Sequence, residues 1–299
     1  MPKPYTAIKM RESHILNLGA GVQSTALYLM FMRGEIQPRI DYAIFADTQD
    51  EPKAVYRHLE WLQSLNGPPI LVRTKGKLSD DLMTGIRRNG LYTRDGTRFA
   101  SIPAFTLGDN GEPGGMTRRQ CSKEYKIEVI ERVIRQEILG LQPRQRVPKG
   151  ILIRQYYGIS FDEGGRARRI QENWHLKGNW KPAFPLIDNF VTRANCLTYL
   201  ADKVPHETPR SACVFCPYHT DFEWDRIKRE DPEGWRAAVA TDAGLRAHDS
   251  RVNQGMDRPM FVHRSCKPLD LVELDTRPDP RKAQLSINFS SECLGVCGV

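Results

Sequence analysis

The chain has 299 residues, 40% of them hydrophobic, and a formal net charge of +8 at pH 7. This length can bury a sizeable core in one domain, or in one domain with an appendage. No run of 18 apolar residues occurs, which excludes an ordinary membrane-spanning helix. Residues Met1 to Tyr5 lack the apolar core of a signal peptide, so we expect a cytoplasmic protein with no membrane partner. The positive charge favours polyanionic partners such as nucleic acid.

The first element is a buried strand that runs through a small-residue turn into an apolar helix. Ile15 to Leu18 form the strand, Gly19-Ala20-Gly21-Val22-Gln23-Ser24 the turn, and Ala26 to Met32 the helix. Glycine lets a ligand approach the backbone closely, and the N–H groups and dipole of a helix N-terminus attract anions. The turn therefore predicts a nucleotide phosphate site. It fits a tight structural turn equally well, because it matches neither the dinucleotide fingerprint nor the Walker P-loop.

A second strand, Asp41 to Ala46, ends in the acidic segment Asp47-Thr48-Gln49-Asp50-Glu51, after which Pro52 begins a helix. Ligands of doubly wound sheets bind beyond the carboxyl ends of the strands, so we expect Asp47 and Thr48 beside the first turn. An acidic side chain there can bind a ribose hydroxyl or a metal-bound phosphate. These carboxylates could instead cap the helix.

Strands and helices alternate over the first two thirds of the chain. Further elements are predicted as a strand at Ile70 to Arg73, a helix at Ser79 to Arg88, a long loop at Asn89 to Met116, an amphipathic helix at Lys123 to Leu139, a strand at Ile151 to Ile159, a short strand at Phe184 to Ile187, and helices at Asp221 to Glu230 and Pro232 to His248. We therefore expect an α/β fold with a doubly wound parallel sheet in residues 1–205. A mainly helical C-terminal region is expected in residues 206–299. Trp174 and Trp180 are expected in a loop, where they could stack on nucleobases.

Three segments resemble, in order, the motifs of N-type ATP pyrophosphatases and PAPS reductases, the PP-loop superfamily with the adenine nucleotide alpha hydrolase-like (HUP-like) fold. Gly19 to Ser24 stands in place of the S-G-G-x-D-S loop, with Gly19 replacing the first Ser and Gln23 the Asp. Phe45 to Glu51 resembles the second-strand motif of the reductase branch. Gly158-Ile159-Ser160-Phe161-Asp162-Glu163, followed by Arg166, resembles the later G-[IR]-x-x-[DE]-[ES]-x-x-R motif of that branch.

The resemblance implies that ATP and Mg²⁺ bind at these motifs. ATP phosphates would lie on Gly19, Ala20, Gly21, Val22, Gln23 and Ser24, with Asp47 and Thr48 near the ribose or adenine and Gly158 and Glu163 also lining the site. Lys126, Arg166 and Arg169 would balance phosphate charge, and Ser24, Lys126 and Arg166 would be catalytic. Attack of an acceptor oxygen on the α-phosphate would release pyrophosphate and leave an adenylate, which sulfur then displaces. The basic charge favours DNA or tRNA as the acceptor, and a cysteine desulfurase would be the sulfur donor.

Two of the seven cysteines have the spacing of metal ligands, and a third lies where a thiolate is favoured. Cys213 and Cys216 form a C-x-x-C, which lets two thiolates reach one metal centre. Cys121 begins the amphipathic helix next to Arg119, an environment that lowers a thiol pKa. Iron–sulfur APS reductases are similar in these features, so the resemblance implies a 4Fe-4S cluster. A structural zinc site requires the same thiolate geometry and stays open.

The fourth ligand of such a centre would be Cys196, Cys266 or Cys293. Cys293 has a second interpretation, because Glu292-Cys293 is similar to the E-C-G ending of PAPS reductases, whose cysteine attacks sulfur. It is thus a candidate catalytic nucleophile, or one of two exposed thiols in a C-terminal tail.

Three functions remain open on the sequence alone. The first is an ATP pyrophosphatase that adenylates a nucleic acid for sulfur transfer, and the second is an APS or PAPS reductase. The third is a nucleotide- or nucleic-acid-binding module with structural zinc. The oligomeric state is not indicated by any pattern in the sequence.

Overall fold

A five-stranded parallel sheet forms the centre of the fold. The structure is a computed structural model that describes residues 11–84, 102–174, 178–247 and 258–277. In chain order, the strands are β1 (Arg11–Leu18), β2 (Tyr42–Asp47), β3 (Ile70–Thr74), β4 (Phe105–Leu107), β5 (Pro113–Met116), β6 (Ile151–Tyr157), β7 (Trp180–Ala183) and β8 (Met260–Phe261). The parallel sheet has the order β3-β2-β1-β6-β7. Because the chain leaves β1 toward β2 and later returns to its other side, a topological switch point lies between β1 and β6.

Helices cover both faces of this sheet. The α-helices of the described residues are α1 (Val22–Met32), α2 (Lys53–Ser64), α3 (Leu78–Thr84), α4 (Glu128–Arg132), α5 (Gly164–Trp174), α6 (Pro185–Asp188), α7 (Arg193–Leu200), α8 (Asp221–Glu230) and α9 (Pro232–Arg246). Alternate side chains of a strand point to opposite faces, so Leu16 and Phe45 pack with α1, α2 and α7, whereas Ile15 and Ile44 pack with α4 and α5. The predicted α/β class with a parallel sheet is confirmed, and the two covered faces are consistent with double winding.

The second core is built around α3, α8 and α9 and a small antiparallel sheet of order β5-β4-β8. It draws on Leu82 and Tyr125 from the first part of the chain and on Trp224, Leu245 and Met260 from the C-terminal part. This core therefore joins both of the segments that the sequence separates at residue 205. None of the helices in the described ranges combines the length and apolarity needed to cross a lipid bilayer.

The prediction of a strand at Phe184 to Ile187 is wrong. Pro185 begins α6 instead, because a residue without an N–H group suits a first helical turn and cannot donate to a sheet ladder. The strand in this part of the chain is β7, which lies just before α6. It includes Trp180, which is therefore buried in the sheet and not in a loop. The side chain of Trp174 lies outside the described residues.

Two other elements differ from their predicted form. The predicted loop at Asn89 to Met116 contains the β4–β5 hairpin, and its residues 89–101 lie outside the described part of the chain. The amphipathic helix is present, but π-helical turns at Lys123–Ile127 and Val133–Ile138 flank α4. Such π-turns are frequent at functional sites.

Candidate functional site

The turn after β1 is organised by the side chain of Ser24. The N–H groups of Gly19 and Gly21 donate to Ser24 Oγ at 3.3 and 3.2 Å, and the Ser24 hydroxyl lies 3.2 Å from the carbonyl oxygen of Gly21. Ala20 between them has a left-handed backbone with φ 56°, which is uncommon outside glycine. The two glycine N–H groups expected to face a phosphate thus point to the serine, through bonds at the long end of the normal range.

The loop after β6 touches this turn at Gly158. A Cβ atom at Gly158 would lie 2.7 Å from both the Cα and the N of Ser24. Only glycine allows so close an approach between two backbones. The end of β6 is therefore in direct contact with the first turn of α1, at the switch point.

Gln23 joins the same two loops through its side chain. Its Nε2 donates to Glu163 Oε2 at 3.0 Å and lies 3.4 Å from Ser160 Oγ, although Gln23 and Glu163 are 140 positions apart in sequence. Ser160 is a site residue that sequence reasoning did not single out, although it lies within the third motif. The first and third motifs thus form one site.

The amide oxygen of Gln23 is the notable polar atom of this site. Gln23 is only 1% exposed, and its Oε1 has no hydrogen-bond partner among the described residues. Leaving a buried acceptor unpaired costs about 1–3 kcal/mol. A hydroxyl, an ammonium group, a water molecule or a hard cation such as Mg²⁺ would pair with this oxygen. Gln23 belongs to the first turn of α1, at the positive end of the helix dipole.

Arg166 reaches the site through Glu163. Its NH1 lies 3.2 Å from Glu163 Oε1, and both side chains are buried. Glu163 therefore accepts a hydrogen bond from the Arg166 guanidinium on one carboxylate oxygen and from the Gln23 amide on the other. Arg169 is exposed on α5.

Asp47 lies at the carboxyl end of β2, as predicted, and its orientation is set by Tyr56 on α2. The Tyr56 hydroxyl donates to Asp47 Oδ1 at 2.9 Å, and the N–H of Gln49 donates to the same oxygen at 2.8 Å. Burial and the Asp47 charge raise the pKa of Tyr56 well above its ordinary value, so it remains a donor. Gln49 has a left-handed φ of 61°. Tyr56 is a second site residue that the sequence did not reveal.

The acidic residues after Asp47 have separate structural partners. Asp50 accepts the N–H and hydroxyl of Ser79 at 2.7 and 2.8 Å and so caps α3 rather than the helix that follows it in sequence. Glu51 forms a fully buried ion pair with Lys126, with 3.0 Å between Nζ and Oε1. Lys126, expected to balance phosphate charge, is therefore neutralised by a carboxylate at the end of β2.

Thr48, which was expected near the ribose or adenine, contacts the C-x-x-C loop. Its Oγ1 lies 3.2 Å from Cys213 Sγ, and the N–H of Val214 donates to the Asp50 carbonyl at 2.8 Å. The loop is closed by a bond from the Cys216 N–H to the Cys213 carbonyl, which also accepts from His219 Nε2 at 2.9 Å. The C-x-x-C is thus attached to the carboxyl end of β2, next to the switch-point site.

The remaining thiols are distributed over the molecule. Cys121 packs against the second core, which contains Cys213, whereas Cys196 on α7 is buried in the core that α1, α2 and α7 form with the sheet. Burial raises the pKa of Cys266, whose backbone has a left-handed φ of 51°. Cys293 lies outside the described residues. Within the described ranges, no group of three His, Cys, Asp or Glu side chains is arranged as a metal site.

No protein-family model, curated protein or solved structure matched the chain in the comparisons.

Proposed function

We propose that this chain is a PP-loop ATP pyrophosphatase of the HUP-like fold, which adenylates an acceptor for sulfur transfer. The observation that carries the proposal is the junction of Gln23 with Glu163 and Ser160 at the switch point, where Gly158 presses on Ser24. Ligands of open parallel sheets bind at such a point. The two segments that resemble the superfamily's nucleotide-binding motifs therefore meet where the topology favours a ligand.

The first turn of α1 would hold the phosphates. The N–H groups of Gly19 and Gly21 bond to Ser24 Oγ at 3.2 Å or more, and a charged phosphate oxygen is a stronger acceptor than a hydroxyl. Phosphate binding would then transfer these donors to the ligand and turn the Ser24 hydroxyl toward it as a further donor. The helix dipole favours the same negative charge.

Gln23 would bind the Mg²⁺ that accompanies the nucleotide phosphates. Its unpaired Oε1 fits Mg²⁺ or a water bound to it, and Mg²⁺, when bound, would neutralise phosphate charge. Glu163 orients the amide from the other side, and it also holds Arg166 close to the crevice. Asp47, oriented by Tyr56, would accept a ribose hydroxyl.

The net charge of the chain indicates the class of acceptor, and sulfur transfer requires a sulfur donor. A net charge of +8 favours a nucleic acid, DNA or tRNA, as the acceptor, and a cysteine desulfurase would supply sulfur in a cytoplasmic setting. Cys121, Cys213 and Cys216 remain the proposed thiol ligands of a cluster.

The test is ATP binding and pyrophosphate release by the full chain. Wild-type protein should bind Mg·ATP and release pyrophosphate when nucleic acid is added. Gln23→Met should weaken Mg·ATP binding at least tenfold, because the thioether cannot pair with a hard cation or a polar ligand. The same substitution at the exposed Gln37, beyond the other end of α1, is the matched control and should change nothing.

Two other results would overturn the proposal. Binding of APS or PAPS without ATP, with sulfite released in the presence of a thiol, would favour the reductase. Absence of nucleotide binding together with stoichiometric zinc would favour the binding module.

A further inference from the structure

Two phenylalanines form an exposed aromatic pair beside the switch-point site. The ring centroids of Phe161 and Phe190 are 5.3 Å apart and the ring planes are tilted by 56°. Phe161 is 47% and Phe190 72% exposed, whereas most other large apolar side chains in the described ranges are buried. An exposed pair of this kind points to a ligand with an aromatic or apolar face.

The pair is attached to the switch-point loop by the backbone. Phe161 directly follows Ser160, whose Oγ lies 3.4 Å from Gln23 Nε2. The N–H of Phe161 donates to the carbonyl of Val191 at 2.8 Å, which ties its loop to the segment that carries Phe190. The rings therefore stand beside the side chains proposed to bind the nucleotide.

The backbone of Phe190 is set by the end of α6. Its φ of 55° is the left-handed conformation of a helix C-terminus, where the Val191 N–H donates to the Leu186 carbonyl at 2.7 Å and the Phe190 N–H to the Ile187 carbonyl at 3.0 Å. Glycine or asparagine is usual at this position. The cap therefore explains the backbone, but it does not require a large exposed ring there.

Basic side chains on the neighbouring helix indicate the class of ligand. α5 begins three residues after Phe161 and carries two exposed arginines, Arg169 and Arg168, the second of which is ion-paired with Glu172 at 2.9 Å. The chain as a whole has a net charge of +8. Aromatic rings next to basic side chains are the arrangement that binds single-stranded nucleic acid, because bases stack on the rings while cations attract the backbone.

We propose that Phe161 and Phe190 form a stacking site for an unpaired base of a single-stranded or locally opened nucleic acid. The inference rests on the proposed function, since it names the acceptor that would enter the same crevice. Phe190 is the more exposed of the two residues, and the ring of Phe161 lies against it at a tilt of 56°. A base held there would position its own strand for modification at the nucleotide site.

The test uses fluorescein-labelled oligothymidylate and oligouridylate of about 12 nucleotides, the span of an ordinary single-strand site, with the full-length protein at low salt. Phe161→Ala and Phe190→Asn should each weaken binding roughly 5- to 150-fold, the range expected for loss of one base–aromatic stack. Phe161→Tyr keeps the ring and should bind as wild type. A preference is assigned to DNA or RNA by comparing oligouridylate with oligodeoxyuridylate, which differ only at the 2′ position.

Two controls separate stacking from folding. Asn adopts a left-handed backbone more readily than Phe, so Phe190→Asn should melt no lower than wild type while binding more weakly. Phe222, 58% exposed at the start of α8, is the matched aromatic, and Phe222→Ala should leave oligonucleotide binding unchanged.

The proposal is overturned if wild-type protein binds neither oligonucleotide, or if all variants bind equally well. It is also overturned if the variants change only self-association in light scattering, since the pair would then be an interface between copies of the chain. Mg·ATP binding is measured on the same preparations. Absent ATP binding contradicts the proposed function, whereas ATP binding with oligonucleotide affinity independent of both rings contradicts the stacking site.

Discussion

Substituting alanine for Gly158 tests the junction between the loop after β6 and the first turn of α1. The added Cβ would lie 2.7 Å from Ser24 Cα and N, 0.7 Å inside the 3.4 Å at which ordinary contact begins. It would also lie 3.0 Å from the carbonyl carbon of Gln23. All three of these neighbours are backbone atoms, so no side chain can rotate away and one loop has to move.

The cost can be estimated from the clash. Overpacking that shifts backbone typically destabilises a protein by about 1–3 kcal/mol, and we expect that loss in the free energy of unfolding of Gly158→Ala. The displacement also moves Ser24 and Gln23, the residues proposed to bind the phosphates and their metal. Since misplacement of a binding group by about 1 Å can cost up to roughly 10²-fold in rate, Mg·ATP binding and pyrophosphate release should both fall at least tenfold.

Chemical denaturation and calorimetric titration with Mg·ATP measure the two effects. Gly164→Ala and Gly165→Ala are matched controls, because nothing lies within 4 Å of a Cβ at either position. Both residues begin α5, where alanine is favoured over glycine by roughly 0.5–1 kcal/mol, so these variants should be as stable as wild type or more so. The reasoning is refuted if Gly158→Ala unfolds and binds Mg·ATP like these two.

Two further predictions concern buried ionisable groups. Burial, with a smaller contribution from His206, lowers the pKa of His58 to about 3, while an unfolded histidine titrates near 6.5. The unfolded state therefore takes up the proton first, and His58 should cost the protein about 2 kcal/mol of stability between pH 7 and pH 5, a loss that continues down to about pH 3. His58→Gln should lack that part of the pH dependence in denaturant titrations; an unchanged wild-type slope would show that His58 is not buried as a neutral ring. Lys126→Met leaves Glu51 buried without its cation and should lower the free energy of unfolding by about 3–5 kcal/mol. The double variant Lys126→Met/Glu51→Gln should recover most of that loss, and equal destabilisation of the single and double variants would contradict the ion pair.

The sequence predicts the elements and the sheet well because their signals are local. Apolar runs such as Ile15 to Leu18 and Ile151 to Ile159 indicate buried strands, and small residues at Gly19 and Gly158 mark the turns that follow. Alternation of strands with helices then requires parallel pairing and two covered faces, and the structure confirms both. The misassigned strand near Pro185 shows the limit of this reasoning: an apolar run of four residues fits a strand or a helical turn, and only the proline distinguishes them.

The partners of the polar side chains were decided by the tertiary structure. Nothing near Thr48 in sequence indicates that its hydroxyl meets Cys213, 165 positions later. Lys126 carries the charge suited to a phosphate, yet the packing of its π-helical turn against β2 brings it to Glu51. Hydrophobic periodicity and turn residues depend on neighbours along the chain, so they can be read from it. Which charges and rings meet at the end of a sheet depends on the strand order and on the helices that cross that edge, and those are set by the packing of the whole molecule.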